Sequence, residues 1–387
     1  MIRTAIALAA LLASAIAGAA EPRARDLGVP FPGTPGPLNA ITDVAGVTVG
    51  QVTLIEDLAD GRKVRTGVTA IVPRGRQSLD TSVYAGWFAL NGNGEMTGTT
   101  YLDEMGRIDG PILLTNTHSV GVVHDAVIAW RVRAGPPDAS GYWWSSPVVA
   151  EVWDGDLNDI NGFHVRAEHV NRALDTARPG AVAEGNVGAG TGAKCHEFKC
   201  GIGTSSRRVS TAGGEYTVGV LVQANYANGT HEKLRIAGVP VGQHFVTSAG
   251  GSKADPVTSD NGSIIIVVGT DAPLLPHQLK RIARRASLGL ARMGSTADNG
   301  SGDLFVAFST ANAQALAGAP LAQAATIDND HLDALFAATV DATEEAIVNA
   351  LVAARDMDGN GGHRATALPH GELVRLLEQY GRLAGAR

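Results

Sequence analysis

The chain has little sulfur, little positive charge and no long apolar run beyond its first residues. Only two of its 387 residues are cysteine, Cys195 and Cys200. They stand in KCHEFKC, and no second Cys/His cluster at recognisable spacing completes a tetrahedral metal set. Three readings stay open for them, in descending order: a small disulfide loop in an oxidising compartment, free thiols, or a metal site with His196 and Glu197. The formal net charge is −7 and Lys and Arg form no long run, which argues against nucleic-acid binding by phosphate neutralisation. Beyond residue 20 no stretch is apolar enough to cross a bilayer. No linker, low-complexity tract or repeat divides residues 41–387, and the 48 glycines are scattered among turns. Several catalytic motifs are missing as well. There is no H-E-x-x-H zinc motif and no G-x-S-x-G elbow, and GAGTGAK lacks the Gly-Lys-Ser/Thr of a phosphate loop. Asp356-Met357-Asp358-Gly359-Asn360-Gly361 imitates half an EF-hand. Its twelfth position is Ala367 where a bidentate Glu is needed, so a turn between two helices is expected.

What is present begins with a leader. Arg3, the apolar stretch Ala5 to Ala17 and Ala17-Gly18-Ala19 have the order of a secretory signal over residues 1–20, which predicts a periplasmic or secreted protein. The apolar stretch is too short for a membrane anchor. A proline-rich arm follows, with Pro22, Pro30, Pro32, Pro35 and Pro37 excluding a helix. From Ile41 onward short alternating segments punctuated by glycine predict sheet. PHQLKRIARRASLGLARMG predicts a helix that buries Leu279, Ile282, Ala286 and Leu290 and turns Lys280, Arg281, Arg284 and Arg285 to solvent. HLDALFAATVDATEEAIVNALVAAR predicts a long helix and GELVRLLEQYGRL a shorter one. Strands grouped centrally and helices late predict layered α/β packing, with helices covering sheets.

The most informative segment is DNGSIIIVVGTDAPL. Ile264 to Val268 is a β-branched run of the kind buried on both faces of a sheet. Gly262-Ser263 stands at its mouth. A small hydroxyl residue after a flexible glycine, at a strand's start, is where a self-cleaving hydrolase keeps its nucleophile. Breaking the Gly262–Ser263 bond would give Ser263 an α-amine beside its own hydroxyl, a base and a nucleophile in one residue. NGSGDLF places Ser301 and Asp303 two apart ahead of another strand, so both can face one cleft. The alternative is a glycine-rich turn with ordinary capping residues. His118, in TNTHSVG, is expected to be structural, near a cleft.

These blocks stand in the order seen in a known family. RDLGVPFPGTPGPLNAITDVAGVTVG, LNGNGEMTGT, TNTHSVGVVHDAV, PVVAEVWDG, GIGTSSR, LVQANY, GSIIIVVGTDAPL, RASLGLARMGS, NGSGDLF and ATEEAIVNAL together resemble the DmpA family of self-processing aminopeptidases. That family includes β-peptidyl aminopeptidases and L-aminopeptidase/D-esterases. The resemblance implies a four-layer αββα sandwich, made as an inactive precursor and cut into an α chain (21–262) and a β chain (263–387) of one domain. It implies a homo-oligomer of such pairs, no cofactor, and substrates that are short peptides, amides or esters with an unblocked N-terminus.

Position by position, Ser263 matches the nucleophile, and Ser301 and Asp303 match its supporting hydroxyl and acid. Many relatives carry Glu at 303, one methylene longer. Asn225 matches the oxyanion-site amide, where its bland reading is a turn residue at a strand end. Glu151 matches the carboxylate that receives the substrate's ammonium group. Trp153 stands where relatives carry Tyr or Trp and, lacking a hydroxyl, offers a flat apolar wall. Two rival functions remain open. An ornithine-acetyltransferase-like acyl transferase shares the architecture, but its nucleophile is Thr and it works inside the cell. A non-catalytic exported binding protein on the same fold would have no need of these residues.

Overall fold

A computed structural model of the chain describes residues 22–76, 81–134, 144–211, 213–246 and 262–384. The expected leader lies outside these residues. Along the described residues the strands are β1 (Thr48–Asp57), β2 (Lys63–Val72), β3 (Val83–Gly92), β4 (Arg107–Ile108), β5 (Ile112–Asn116), β6 (Val148–Val152), β7 (Lys194–Cys195), β8 (Phe198–Lys199), β9 (Ile202–Thr211), β10 (Gly214–Asn225), β11 (Ser263–Thr270), β12 (Gly302–Ser309), β13 (Met357–Asp358) and β14 (Arg364–Ala365). One sheet has the order β1-β2-β5-β6 and the other the order β4-β3-β12-β11-β10-β9. The short pair β7-β8 is a ladder of its own.

Strand β11 explains the stacking. All of its residues are buried, and their side chains alternate between two cores. Ile264, Ile266 and Val268 share a core with Leu279, Ile282 and Leu290 of the helix Pro276–Arg292 and with Ala346 and Ile347 of the helix Asp333–Val352. Ile265 and Val267 share another with Ile71, Ile112 and Leu114 of the four-stranded sheet. A strand covered on both faces requires this unbroken β-branched composition. A third core joins Val68, Leu113 and Val149 to Val123 and Val127 of the helix Val120–Ala134 and to Val170 and Leu174 of the helix Ala167–Asp175. Three cores separate four layers, helix, sheet, sheet and helix. This is the αββα sandwich that the resemblance implies.

The expected helices form, and Pro276–Arg292 buries Leu279, Ile282, Ala286 and Leu290 as expected. Part of the basic face of Pro276–Arg292 lies on aromatic rings: Arg281 and Arg285 sit over Phe336, and Arg284 over Phe88. The proline-rich arm is pinned by its arginines, Arg23 to Glu184 and Arg25 to Glu345, each at 2.7 Å. Cys195 and Cys200 are joined in a disulfide that closes the β7-β8 hairpin. In the EF-hand-like segment, Asp356 and Asp358 both pair with Arg364 across a small ladder between two helices. Among the described residues no helix is long and apolar enough to cross a membrane.

Candidate active site

Ser263 is the first residue of β11, and its two flanking strands fix its surroundings. In the antiparallel ladder with β10 it is paired with Asn225, the last residue of that strand. In the parallel ladder with β12 it is paired with Gly302, the first residue of that strand. By alternation along β11 its side chain shares the inter-sheet face with Ile265 and Val267. The Gly302 backbone N–H donates to Ser263 Oγ at 3.2 Å and to the Gly262 carbonyl oxygen at 3.1 Å. Two glycines make this approach possible. A Cβ on Gly262 would stand 2.6 Å from the Tyr226 Cα and 2.9 Å from the Asn225 carbonyl oxygen. One on Gly302 would stand 2.7 Å from the Asn93 carbonyl oxygen. Neither position has room for a side chain.

Asn225 is buried, and its Oδ1 accepts the Lys194 backbone N–H at 2.8 Å. That bond leaves Nδ2 as the outward donor, and Nδ2 is buried with no protein acceptor. An unsatisfied buried donor costs about 1–3 kcal/mol and calls for an explanation. Here it lies beside the ladder partner of a serine hydroxyl.

Ser301 Oγ donates to Asp303 Oδ1 at 2.7 Å, and Asp303 is fully buried. Burial pushes the Asp303 carboxyl up to about 6, against the opposing hydrogen bonds of Ser301 and the Ile264 backbone. The i, i+2 spacing does put hydroxyl and acid on one side. That side differs from the expected cleft. The parallel register sets Gly302 opposite Ser263 and Asp303 opposite Ile264, so by alternation Asp303 shares the helix-side face of Phe305 and Ala307. The pair therefore stands behind Ser263, on its main-chain side.

In front of Ser263 lies a cavity of about 480 Å³ lined by residues that include Asn93, Glu95, Thr117, Glu151 and Trp153. Glu151 is nearly inaccessible, at 3 % exposure. Its Oε1 accepts the Glu95 backbone N–H at 2.9 Å, and its Oε2 accepts the Thr117 hydroxyl. Burial raises its pKa above the usual carboxylate range. Trp153 is 36 % exposed. The His118 ring meets it edge-on at 5.8 Å and stacks on Phe163 at 6.1 Å. His118 is exposed at this rim, near the cleft as expected. The buried histidine is instead His196, whose pKa desolvation lowers to about 3, so it is neutral. Among the described residues no group of His, Cys, Asp and Glu is arranged to hold a metal.

The structure thus brings Ser263, Glu151 and Trp153 to one cavity, with Asn225 paired beside Ser263 and with Ser301 and Asp303 behind it. Several supporting groups escaped the sequence reading. Thr117 adjoins His118 in a motif that had been singled out. The N–H groups of Gly302, Lys194 and Glu95 are backbone, which no residue type announces. A larger hollow of about 850 Å³ lies elsewhere, and its Arg23, Lys63 and Arg65 are already paired with Glu184 and Asp57.

A four-layer αββα sandwich with a glycine-serine junction at the head of a central strand defines an enzyme of the Ntn-hydrolase type. The chain belongs to Peptidase family S58, whose pattern matches residues 39–365. It is 53 % identical over 394 aligned residues to the β-peptidyl aminopeptidase BapA of Sphingosinicella microcystinivorans, covering 98 % of both chains. It is similar in structure to the L-aminopeptidase D-Ala-esterase/amidase of Ochrobactrum anthropi, described as a variant of the Ntn hydrolase fold. There the TM-score is 0.85 and the identity 48 %, over 94 % of this chain and 100 % of the other. A β-aminopeptidase of Burkholderia sp. gives a TM-score of 0.81 at 48 % identity, over 94 % and 99 %.

Proposed function

We propose that this protein is an exported β-peptidyl aminopeptidase that cuts itself between Gly262 and Ser263 and then uses Ser263 as its nucleophile. The observation that carries this reading is Ser263 itself. It heads β11, opens on the cavity that holds Glu151, and is paired with an asparagine whose amide donor has no partner. The near-complete alignment with proteins named β-peptidyl aminopeptidase supports the substrate class. The Cys195–Cys200 disulfide is in keeping with an oxidising compartment. Assembly of the cut chains into a homo-oligomer belongs to the same reading.

Self-cleavage needs the Ser263 hydroxyl to attack the Gly262 carbonyl. The Gly302 N–H already polarises that carbonyl. The acyl group moves from nitrogen to oxygen, which frees the Ser263 α-amine, and water hydrolyses the ester to release the Gly262 carboxylate and restore the Ser263 hydroxyl. An α-amine has an ordinary pKa of about 7.7–8.0, so a useful neutral fraction exists near neutrality. In the mature enzyme this amine takes the hydroxyl proton as Ser263 Oγ attacks a substrate amide. Asn225 Nδ2 and the Gly302 N–H donate to the developing oxyanion. The leaving amine departs with the proton, and water then cleaves the acyl-serine ester. Ser301 and Asp303, on the main-chain side of Ser263, orient the amine. Glu151 holds the substrate's ammonium group, which confines cleavage to the first residue, and Trp153 forms the wall beside it.

N-terminal sequencing of the purified protein is expected to give one fragment beginning at Ser263. A panel of β-, L- and D-aminoacyl amides is expected to rank β-residues first, and preference for L- or D-residues would overturn the β assignment. Glu151→Gln is expected to raise KM for free-amine substrates at least tenfold, because a charged hydrogen bond worth about 1.5–3 kcal/mol is lost. An unchanged KM rejects Glu151 as the anchor.

The raised pKa of Asp303 sets a pH dependence. Its carboxylate accepts the Ser301 hydroxyl when ionised, so activity should fall as pH drops through about 6. The effect on stability has the opposite sign. A folded-state pKa above the unfolded one gives stability that is complete in acid and is lost as pH rises through about 6. Asp303→Asn should remove the step in kcat near pH 6 and leave the separate fall that protonation of the α-amine causes at higher pH; if the step near 6 persists unchanged, it belongs to another group.

A further inference from the structure

We infer that the disulfide-closed hairpin Lys194–Cys200 is a positioning device that aims the Asn225 amide at the reacting carbonyl. This rests on the role assigned above to Asn225. The hairpin and the residue after it grip the last two residues of β10 and the one that follows them. The Gly201 carbonyl accepts the Ala224 N–H at 2.9 Å. The Lys194 N–H donates to Asn225 Oδ1 at 2.8 Å. The His196 N–H donates to the Tyr226 carbonyl at 3.1 Å. The middle bond is the decisive one. An amide whose oxygen is held by a backbone donor cannot flip, so its NH₂ group must face the other way. Nδ2 is the group left buried and unpartnered.

The hairpin does not hold this shape by turn propensity. Its tip residues, His196 and Glu197, both have positive φ, 51° and 65°. A two-residue turn of that hand favours Asn-Gly or Gly-Gly; His tolerates positive φ better than most residues, but Glu197 is not suited to it. The disulfide from Cys195, on one side of the tip, to Cys200, just past the second strand, closes the loop instead. Cys195 and Cys200 are both fully buried, and the Lys199 N–H is tied to the Thr366 carbonyl at 2.7 Å. Strain at the tip is retained only where the surroundings over-determine it. Loss of the sulfur bridge should let the tip relax and move the Lys194 N–H away from Oδ1. The amide then samples both orientations and the oxyanion loses an aimed donor.

The test pairs a Cys195→Ala/Cys200→Ala variant with Asn225→Ala. In the otherwise native enzyme the double substitution should lower kcat on the order of tenfold while KM moves less than about twofold, since the donor acts on the transition state. In the Asn225→Ala background the same substitution should change kcat by less than about twofold, because the group being aimed is gone. If the double variant does not accumulate as cut enzyme, mature wild-type enzyme is treated with a water-soluble phosphine. The phosphine supplies two electrons and becomes its oxide with an oxygen from water, and the sulfurs take two protons to become thiols. Alkylation and mass spectrometry count those thiols. Reduced enzyme with full kcat overturns the inference. So does an equal loss in both backgrounds, which would mark the disulfide as a stabiliser of the fold at large. An Asn225→Ala enzyme with native kcat rejects the oxyanion role itself and the inference with it.

Discussion

Ser263→Ala is expected to run as one uncut band on a denaturing gel and to release no amine from any aminoacyl amide. Alanine keeps the strand and the packing, since β11 needs only a small residue at its head, but it removes the one oxygen that can attack Gly262. Without the cut no α-amine forms, so both the nucleophile and its base are lost together. Activity should drop to background, a loss larger than any other single substitution will cause. The two readouts must fail together. A Ser263→Ala chain still cut at residue 263 would show that another group or a protease makes the break. A wild-type enzyme that is active as one unbroken chain would remove the basis of the mechanism.

Asn225→Ala should be the next most damaging change. Removing a preorganised oxyanion donor costs about 10²–10³ in kcat, or roughly 3–4 kcal/mol. The fold should tolerate it, because Asn225 ends its strand and its Nδ2 bonds to no protein group. KM should stay nearly constant, since the donor serves the oxyanion more than the ground-state carbonyl. The measurement is kcat per mole of chains bearing an N-terminal Ser263, so that incomplete processing does not count as slow chemistry. A kcat within about threefold of wild type would leave the Gly302 N–H as the principal donor.

Much of the architecture was legible because burial writes itself into composition. Ile264 to Val268 admits few environments besides a doubly covered strand, and the spacing of Leu279, Ile282, Ala286 and Leu290 fixes a helix face. The site was legible where it is made of side chains, as with Ser263, Glu151 and Trp153. It was illegible where register decides. From spacing alone Ser301 and Asp303 share a side, and they do. Which side depends on β12 running parallel to β11 with Gly302 opposite Ser263, a relation between segments nearly forty residues apart. His118 stands near the cleft as expected, and its ring neighbours Phe163 and Trp153, which arrive from another part of the chain, were hidden for a similar reason. Backbone donors were invisible throughout, because every residue except proline carries one.

The location of Ser263 between two ladders has a consequence for the proposed cut. A terminus created there would be clasped by β10 on one flank and β12 on the other, and the two pieces would share the cores on both faces of β11. A nick at this point frees no element to drift away. The two polypeptides should behave as an inseparable pair that melts in one transition and does not trade halves between molecules in solution.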